Sequence, residues 1–344
     1  MSMGMGNQVL EPSPPPADLA VTASGRTGLA SVFRFVGTFG TIIVLVGMFA
    51  GFSIALPSTF PTWSNASNIL NEASLTAVIA GGLTLPLIVG EFDLSIGYHS
   101  SLACVLVVGL ITNQGLPFPV AIVVVLLLGA FIGLVNGFIV TKLGVNALVG
   151  TLGTGTVLVG IDYAYSSGIP IAVPTNSSFP NIFLGKIGPI QYPIIITIVV
   201  LGMLWLLINR TDLGQAMQAI GGNVEASRLS GIRVDRVKMI AFVVAGMCAA
   251  GTGILLAAQL ETGELGAGDG YLLDAFAACF LGSAALRDGQ FHIVGTFIGV
   301  ITVGVGFTGL IVLGAPTFYQ YLFEGLLLIF AVALSTVARR YVRR

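Results

Sequence analysis

Apolar runs of about 20 residues, the length a helix needs to cross a bilayer, recur along this chain from Val36 nearly to its last residue. About ten can be counted on that measure. Clear ones begin near Val36, Ile69, Pro117, Ile194, Val237, Phe291 and Tyr319. Weaker ones cover Tyr98–Asn113, Leu148–Tyr165 and Tyr271–Leu286, which are short or rich in Gly and Ser. Irregular backbone cannot face lipid, so these are expected to be tilted, broken or partly re-entrant pieces inside a bundle. Only 8% of the 344 residues are charged and 55% are hydrophobic, against about 25% charged in soluble domains. The chain is predicted to be an all-α integral membrane protein.

The few charges have a direction. Counting ten spans with the amino terminus inside puts 13 of the 14 Lys and Arg residues on one side and only Lys186 on the other. A one-sided cation bias marks the cytoplasmic face, so both termini are expected in the cytoplasm. Residues 1–34 are polar and Pro-rich and read as a disordered tail rather than a signal peptide. Residues 35–338 form one transmembrane domain, and 339–344 a basic tail. The net charge of −1 gives no reason to expect nucleic-acid binding. Cys104, Cys248 and Cys279 are isolated in apolar segments and read as inert thiols. His99 and His292 have no partners at metal-ligand spacing, so no metal site is expected.

Five of the cations (Arg210, Arg228, Arg233, Arg236 and Lys238) cluster in a polar island at 210–238. Within it Asn223 suits an N-cap, Glu225 a first turn and Gly231 a C′ position. A helix of about two turns is predicted, too short to be stable alone. It could rest on headgroups or fit a cleft on a soluble partner.

Several other segments could carry function. In Gly90–Gly97, Glu91 and Asp93 lie beside an apolar segment end, where carboxylates are costly unless hydrated or paired. The stretch reads either as a non-helical break near a translocation gate or as a hydrated turn capped by Asp93 and Ser95. Gly129, Gly133 and Gly137, and again Gly295 and Gly299, repeat at four-residue spacing and predict tight helix packing, with Asn136 as an interhelical hydrogen-bonding group. Asn146 precedes a segment in which Thr151, Thr154 and Thr156 alternate with glycines. Their hydroxyls could meet a polyhydroxylated solute or bond their own helix backbone. Glu72, Asp162, Asp274 and Glu324 lie near span ends, and Asp274 is the best candidate for the bundle interior. The outer stretch from about Ser166 to Gln191 could hold a short surface element.

Ala219–Ile232 resembles the coupling-loop signature of ribose-type ABC transporter permeases, and Glu225, Ala226, Ser227 and Gly231 follow the broader E-A-A-x-x-x-G pattern. Gly90–Gly97 is similar to the family's G-G-I-D-L-S-V-G, with Glu91 for a glycine and Phe92 for an isoleucine. Thr151–Gly153 resembles T-L-G, and Tyr271–Ala278 resembles Y-E-L-D-A-I-A-A. Ala147 stands where a proline is usual, Ser283–Asp288 replaces a Gly/Ser-rich run, and Glu324 occupies an often basic position. The resemblance implies a type II ABC importer-like bundle in the plasma (inner) membrane of a bacterium. It also implies a permease that dimerises with an identical or related subunit. Two cytoplasmic ATP-binding cassettes would engage Gly221, Gly222, Asn223, Glu225, Ala226, Arg228 and Gly231, and an extracytoplasmic binding protein would deliver a sugar or polyol. Asp93, Ser95, Asn146, Thr151, Thr154 and Asp274 would line the path or its gate. ATP and Mg would belong to the partners, since this chain lacks G-x-x-x-x-G-K-[ST], and the chain is not expected to be an enzyme. One alternative keeps the ABC architecture but imports an amino acid, nucleoside or sugar-derived signal. The rival from another class is an ion-gradient secondary transporter, which calls for paired acids at mid-membrane depth.

Overall fold

The computed structural model describes residues 39–285 and 289–342. The expected tail at 1–34 and Arg287 lie outside the described residues. The helices in chain order are α1 (Phe39–Ala55), α2 (Trp63–Ile88), α3 (Ile96–Thr112), α4 (Phe118–Thr141), α5 (Ala147–Ser166), α6 (Asn181–Leu184), α7 (Tyr192–Arg210), α8 (Asp212–Gly222), α9 (Val224–Leu229), α10 (Val234–Leu260), α11 (Tyr271–Ser283), α12 (Ile293–Val312) and α13 (Phe318–Val342). α13 continues as helix through 339–342, into the stretch expected as a basic tail.

Six helices (α2, α4, α5, α7, α10 and α12) are long and apolar enough to cross a membrane. Apolar stretches of α1, α3, α11 and α13 are shorter. α2 is the central element, with 89% of its most apolar window buried against 22% for α4. Of the segments expected to be tilted, broken or partly re-entrant, two form continuous helices, α3 and α5. In α5 the hydroxyls of Thr151, Thr154 and Thr156 donate to the carbonyls of Ala147, Gly150 and Leu152 at 2.7, 3.1 and 3.1 Å. A hydroxyl used this way adds no unpaired polar group to an apolar helix. α11 is the short member, at 13 residues.

Glycines set the close crossings. A Cβ on Gly133 would lie 2.2 Å from the Phe242 carbonyl oxygen, and one on Gly299 would lie 2.0 Å from that of Ala278. α4 therefore meets α10, and α12 meets α11, backbone to backbone.

The connections gather at two ends. One end collects the turn after α2, the α4–α5 connection and the α8–α9 island, tied by Lys142 to Asp235 at 2.7 Å and by Lys238 to Glu91. The other end carries β1 (Ile171–Ala172) paired with β4 (Thr262–Gly263), and the hairpin of β2 (Lys186–Ile187) with β3 (Ile190–Gln191). Lys186 thus lies at the end away from the island. The expected short surface element is α6 with this hairpin, pinned by the buried Phe179 and Phe183.

Candidate coupling and gate site

The island folds as two helices, not one. Thr211 caps α8 by accepting from the Gly214 amide at 3.1 Å. Met217 and Ile220 turn inward, 0% and 1% exposed, and Gln218 Nε2 donates to the Ile208 carbonyl at 2.9 Å. Near the end of α8, Gly221 lies flat on α2: a Cβ there would be 2.0 Å from the Ile88 carbonyl oxygen. Gly222 is exposed and unobstructed.

Asn223 joins the two helices. Its amide closes α8 on the Ala219 carbonyl at 3.0 Å, and its side-chain oxygen accepts from Ala226 N at 3.0 Å to open α9. α9 ends at Gly231, φ +85°. There the Gly231 amide donates to Arg228 O at 3.0 Å and the Ile232 amide to Ser227 O at 3.1 Å. This double closure is a Schellman motif, and its left-handed residue favours glycine. Ser227 is buried while Glu225, Ala226, Arg228 and Leu229 are exposed. The Glu225–Arg228 pair, 3.5 Å apart and solvent-exposed, contributes little to stability.

One residue, Val89, separates Ile88 from the second feature, the turn that begins at Gly90. α2 closes with the same motif: Gly90 (φ +81°) donates to Leu87 O at 3.2 Å, and the Glu91 amide to Pro86 O at 2.9 Å. The chain then dives inward. Asp93 is 1% exposed, and its Oδ1 accepts from Ser95 N at 3.0 Å, from Ser95 Oγ at 2.6 Å and from Asn136 Nδ2 at 3.5 Å. Asn136 Nδ2 also donates to Ser95 Oγ at 2.8 Å, and the Leu94 amide donates to Thr151 Oγ1 at 2.9 Å. The hydrated, doubly capped turn is therefore corrected: Asp93 is buried, and Ser95 makes no side-chain cap to α3 because its hydroxyl goes to Asp93. Burial pushes the Asp93 carboxyl above the ordinary carboxylate range, against hydrogen bonds from Ser95 and Asn136 that pull it down.

The other candidates are scattered. Asn146 is an exposed cap of α5, accepting from Leu148 N at 3.0 Å. Thr154 bonds its own helix. Asp274 sits in the first turn of α11, away from the island, with a buried Oδ1 that has no hydrogen-bond partner among the described residues. Asp162 lies near the end of α5, as expected, and is 3% exposed. His292 caps α12, its Nδ1 accepting from the Gly295 amide at 2.7 Å. Sequence reading missed α8 and the Lys238–Glu91 pair. The only local signal for the pair was that both side chains are charged beside apolar runs.

The family described as branched-chain amino acid transport system / permease component matches residues 65–332. The ribose import permease protein of Bacillus subtilis (strain 168) is 36% identical over 315 residues, covering 91% of this chain and 96% of that relative. An L-arabinose ABC transporter permease protein of Azospirillum brasilense is 31% identical over 343 residues, covering 100% and 99%. A galactose/methyl galactoside import permease protein of Haemophilus influenzae (strain ATCC 51907 / DSM 11121 / KW20 / Rd) is 33% identical over 318 residues, covering 86% and 92%. No solved structure matches. With a family match over most of its length and relatives aligned nearly end to end, the chain belongs to the branched-chain amino acid transport system / permease component family, as a multi-pass membrane permease and not an enzyme.

Proposed function

We propose that this chain is the membrane subunit of an ATP-driven, binding-protein-dependent importer of a monosaccharide or polyol, and that α9 is the lever through which ATP-binding cassettes work it. The single observation that carries the mechanism is the route from α9 to the turn at 90–95. α9 presents an exposed, firmly capped face, and the helix before it presses Gly221 onto Ile88, immediately ahead of that turn. A push on α9 therefore meets backbone, which cannot yield as a side chain can. The turn itself, with Asp93, Ser95, Asn136 and Thr151, is assigned as the inner gate. Asn146 and Thr154 are given no solute role, since both are engaged with α5 itself.

In this reading the island faces the cytoplasm and both termini lie there, in the inner membrane. Two cassettes hold ATP and Mg, an extracytoplasmic protein delivers the solute at the opposite end, and a second permease copy or relative completes the path. The relatives named for ribose, L-arabinose and galactose support a sugar as cargo.

The mechanism is tested in proteoliposomes with the cassettes and the binding protein. Glu225→Lys places a cation at the start of α9, where the helix dipole disfavours it, and Gly231→Val forces a β-branched residue into a left-handed position. Each is expected to lower ATP-driven uptake about tenfold with normal amounts of chain in the membrane. Transport by the permease alone without ATP would overturn the reading. For cargo, the melting shift of the binding protein is screened with pentoses, hexoses, polyols and amino acids. A shift with a sugar or polyol is expected, and a shift with amino acids alone would replace the sugar.

A further inference from the structure

The island reaches the gate turn from two sides. Ahead of α9, Gly221 bears on Ile88. Behind it, the chain enters α10 at Val234, and Lys238 meets the carboxylate of Glu91. This pair is half-buried, with side chains 16% and 17% exposed, so it is screened far less than a surface bridge. Lys238 sits close to the N-terminus of α10, where the helix dipole works against a cation. Its place there is explained by its partner rather than by its helix. Asp235, three residues back, is held by Lys142 at 2.7 Å. Glu91 is equally fixed, because its amide closes α2 on Pro86. The next residue, Phe92, stacks on Phe276 of α11 with ring centroids 6.1 Å apart.

We propose that Glu91 and Lys238 are positioning residues for transport, an ionic tie that makes the gate turn follow the start of α10 when α9 is displaced. Among the described residues, the side chains of other helices that hydrogen-bond to the turn are Asn136 of α4, donating to Ser95 and Asp93, and Thr151 of α5, accepting from the Leu94 amide, and neither carries a charge. The Glu91–Lys238 tie runs to the helix that leaves the island. This inference rests on α9 being the lever, and the experiment separates the two.

Complete complexes in proteoliposomes are supplied with whichever of ribose, L-arabinose or galactose the unaltered complex takes up, and uptake is measured per ATP hydrolysed. Glu91→Gln and Lys238→Gln are each expected to lower that ratio about tenfold. The exchanged pair E91K/K238E is expected to restore it to within about threefold, since a glutamate near the α10 N-terminus is favoured by the dipole. A tie that only held the fold together would lower the melting temperature and leave the ratio unchanged. If Glu91→Gln does not reach the membrane, Glu91→Asp, with shortened reach, is read in its place. Unchanged ratios in the single variants, alongside loss of uptake in Gly231→Val, would overturn this inference and leave the lever standing. Failure of the exchanged pair to recover would overturn it as well. Normal uptake in Gly231→Val would remove the lever and this inference together.

Discussion

Leucine at Gly133 is expected to leave little of this chain folded in the membrane. Gly129, Gly133 and Gly137 line one face of α4, and that face lies on α10. A Cβ at Gly133 would sit 2.2 Å from the Phe242 carbonyl oxygen and 2.8 Å from the Val243 Cα, both of them backbone atoms. A Cβ at Gly129 would sit 2.8 Å from the Gly246 carbonyl oxygen, and one at Gly246 would sit 2.3 Å from that of Gly129. No rotamer change relieves such a clash, so the helices must separate. Overpacking a core with side-chain give costs about 1–3 kcal/mol, and this site has less give than most. Separation would also pull Asn136 from Ser95 and Lys142 from Asp235, because each pair bridges α4 to its neighbours. The melting midpoint in detergent is expected to fall by about 5 °C or more, with a matching loss of chain recovered from membranes. Gly202→Leu on the exposed face of α7 is the control: nothing lies within 4 Å of its Cβ position, and leucine is the better helix former. Equal behaviour of the two variants would show that the α4–α10 contact does not limit folding.

The glycine stripe and the ends of α9 were legible because their signals are local. Four-residue spacing puts three glycines on one helix face whatever lies opposite, and Asn223 and Gly231 bond only to their own segment. α8 was not legible for the converse reason. It holds Gly214, Gly221 and Gly222 among its 11 residues, a poor helix on propensity alone. Its stability comes from seating Met217 and Ile220 against distant helices. α5 misled in the other direction, since Thr and Gly lower expectation for a spanning helix. The threonines remove the objection by bonding one turn back. Asp162 does lie near the end of α5, and only the fold shows that it is buried there, at 3% exposed. Glu91 and Lys238 are 147 positions apart, a separation at which no spacing rule operates. The departures Glu91 and Phe92 from the resembled motif both acquire partners, Lys238 and Phe276. A deviation from a pattern shows where to look, and the partner is seen only in three dimensions.

Alanine at Asp93 is expected to be among the most damaging changes, while asparagine there is expected to be tolerated. Removing the carboxyl orphans the Ser95 amide and the Ser95 hydroxyl, and weakens the hold on Asn136, all in a place that is 1% exposed. At roughly 1–3 kcal/mol for each buried group left unsatisfied, the loss is about 3 kcal/mol or more, and the gate turn loses its anchor. Asparagine keeps an acceptor oxygen and adds a donor. The cluster has use for one, since Asp93 Oδ2 and Asn136 Oδ1 are buried without a donor among the described residues. A proton on Asp93 would serve the same need, in keeping with a carboxyl that burial pushes above its ordinary value of 3.8. The sign follows from linkage: a pKa higher in the folded state means that the folded chain holds the proton more tightly. The stability Asp93 contributes is thus fullest below its unfolded pKa and is lost as pH rises through the folded one. The melting temperature of the unaltered chain minus that of Asp93→Asn should therefore decline as pH rises above the ordinary value of 3.8. A difference that stays flat, or that grows with pH, would mean that the turn is built around a stable carboxylate, and the buried cluster would then need a cation it does not contain among the described residues.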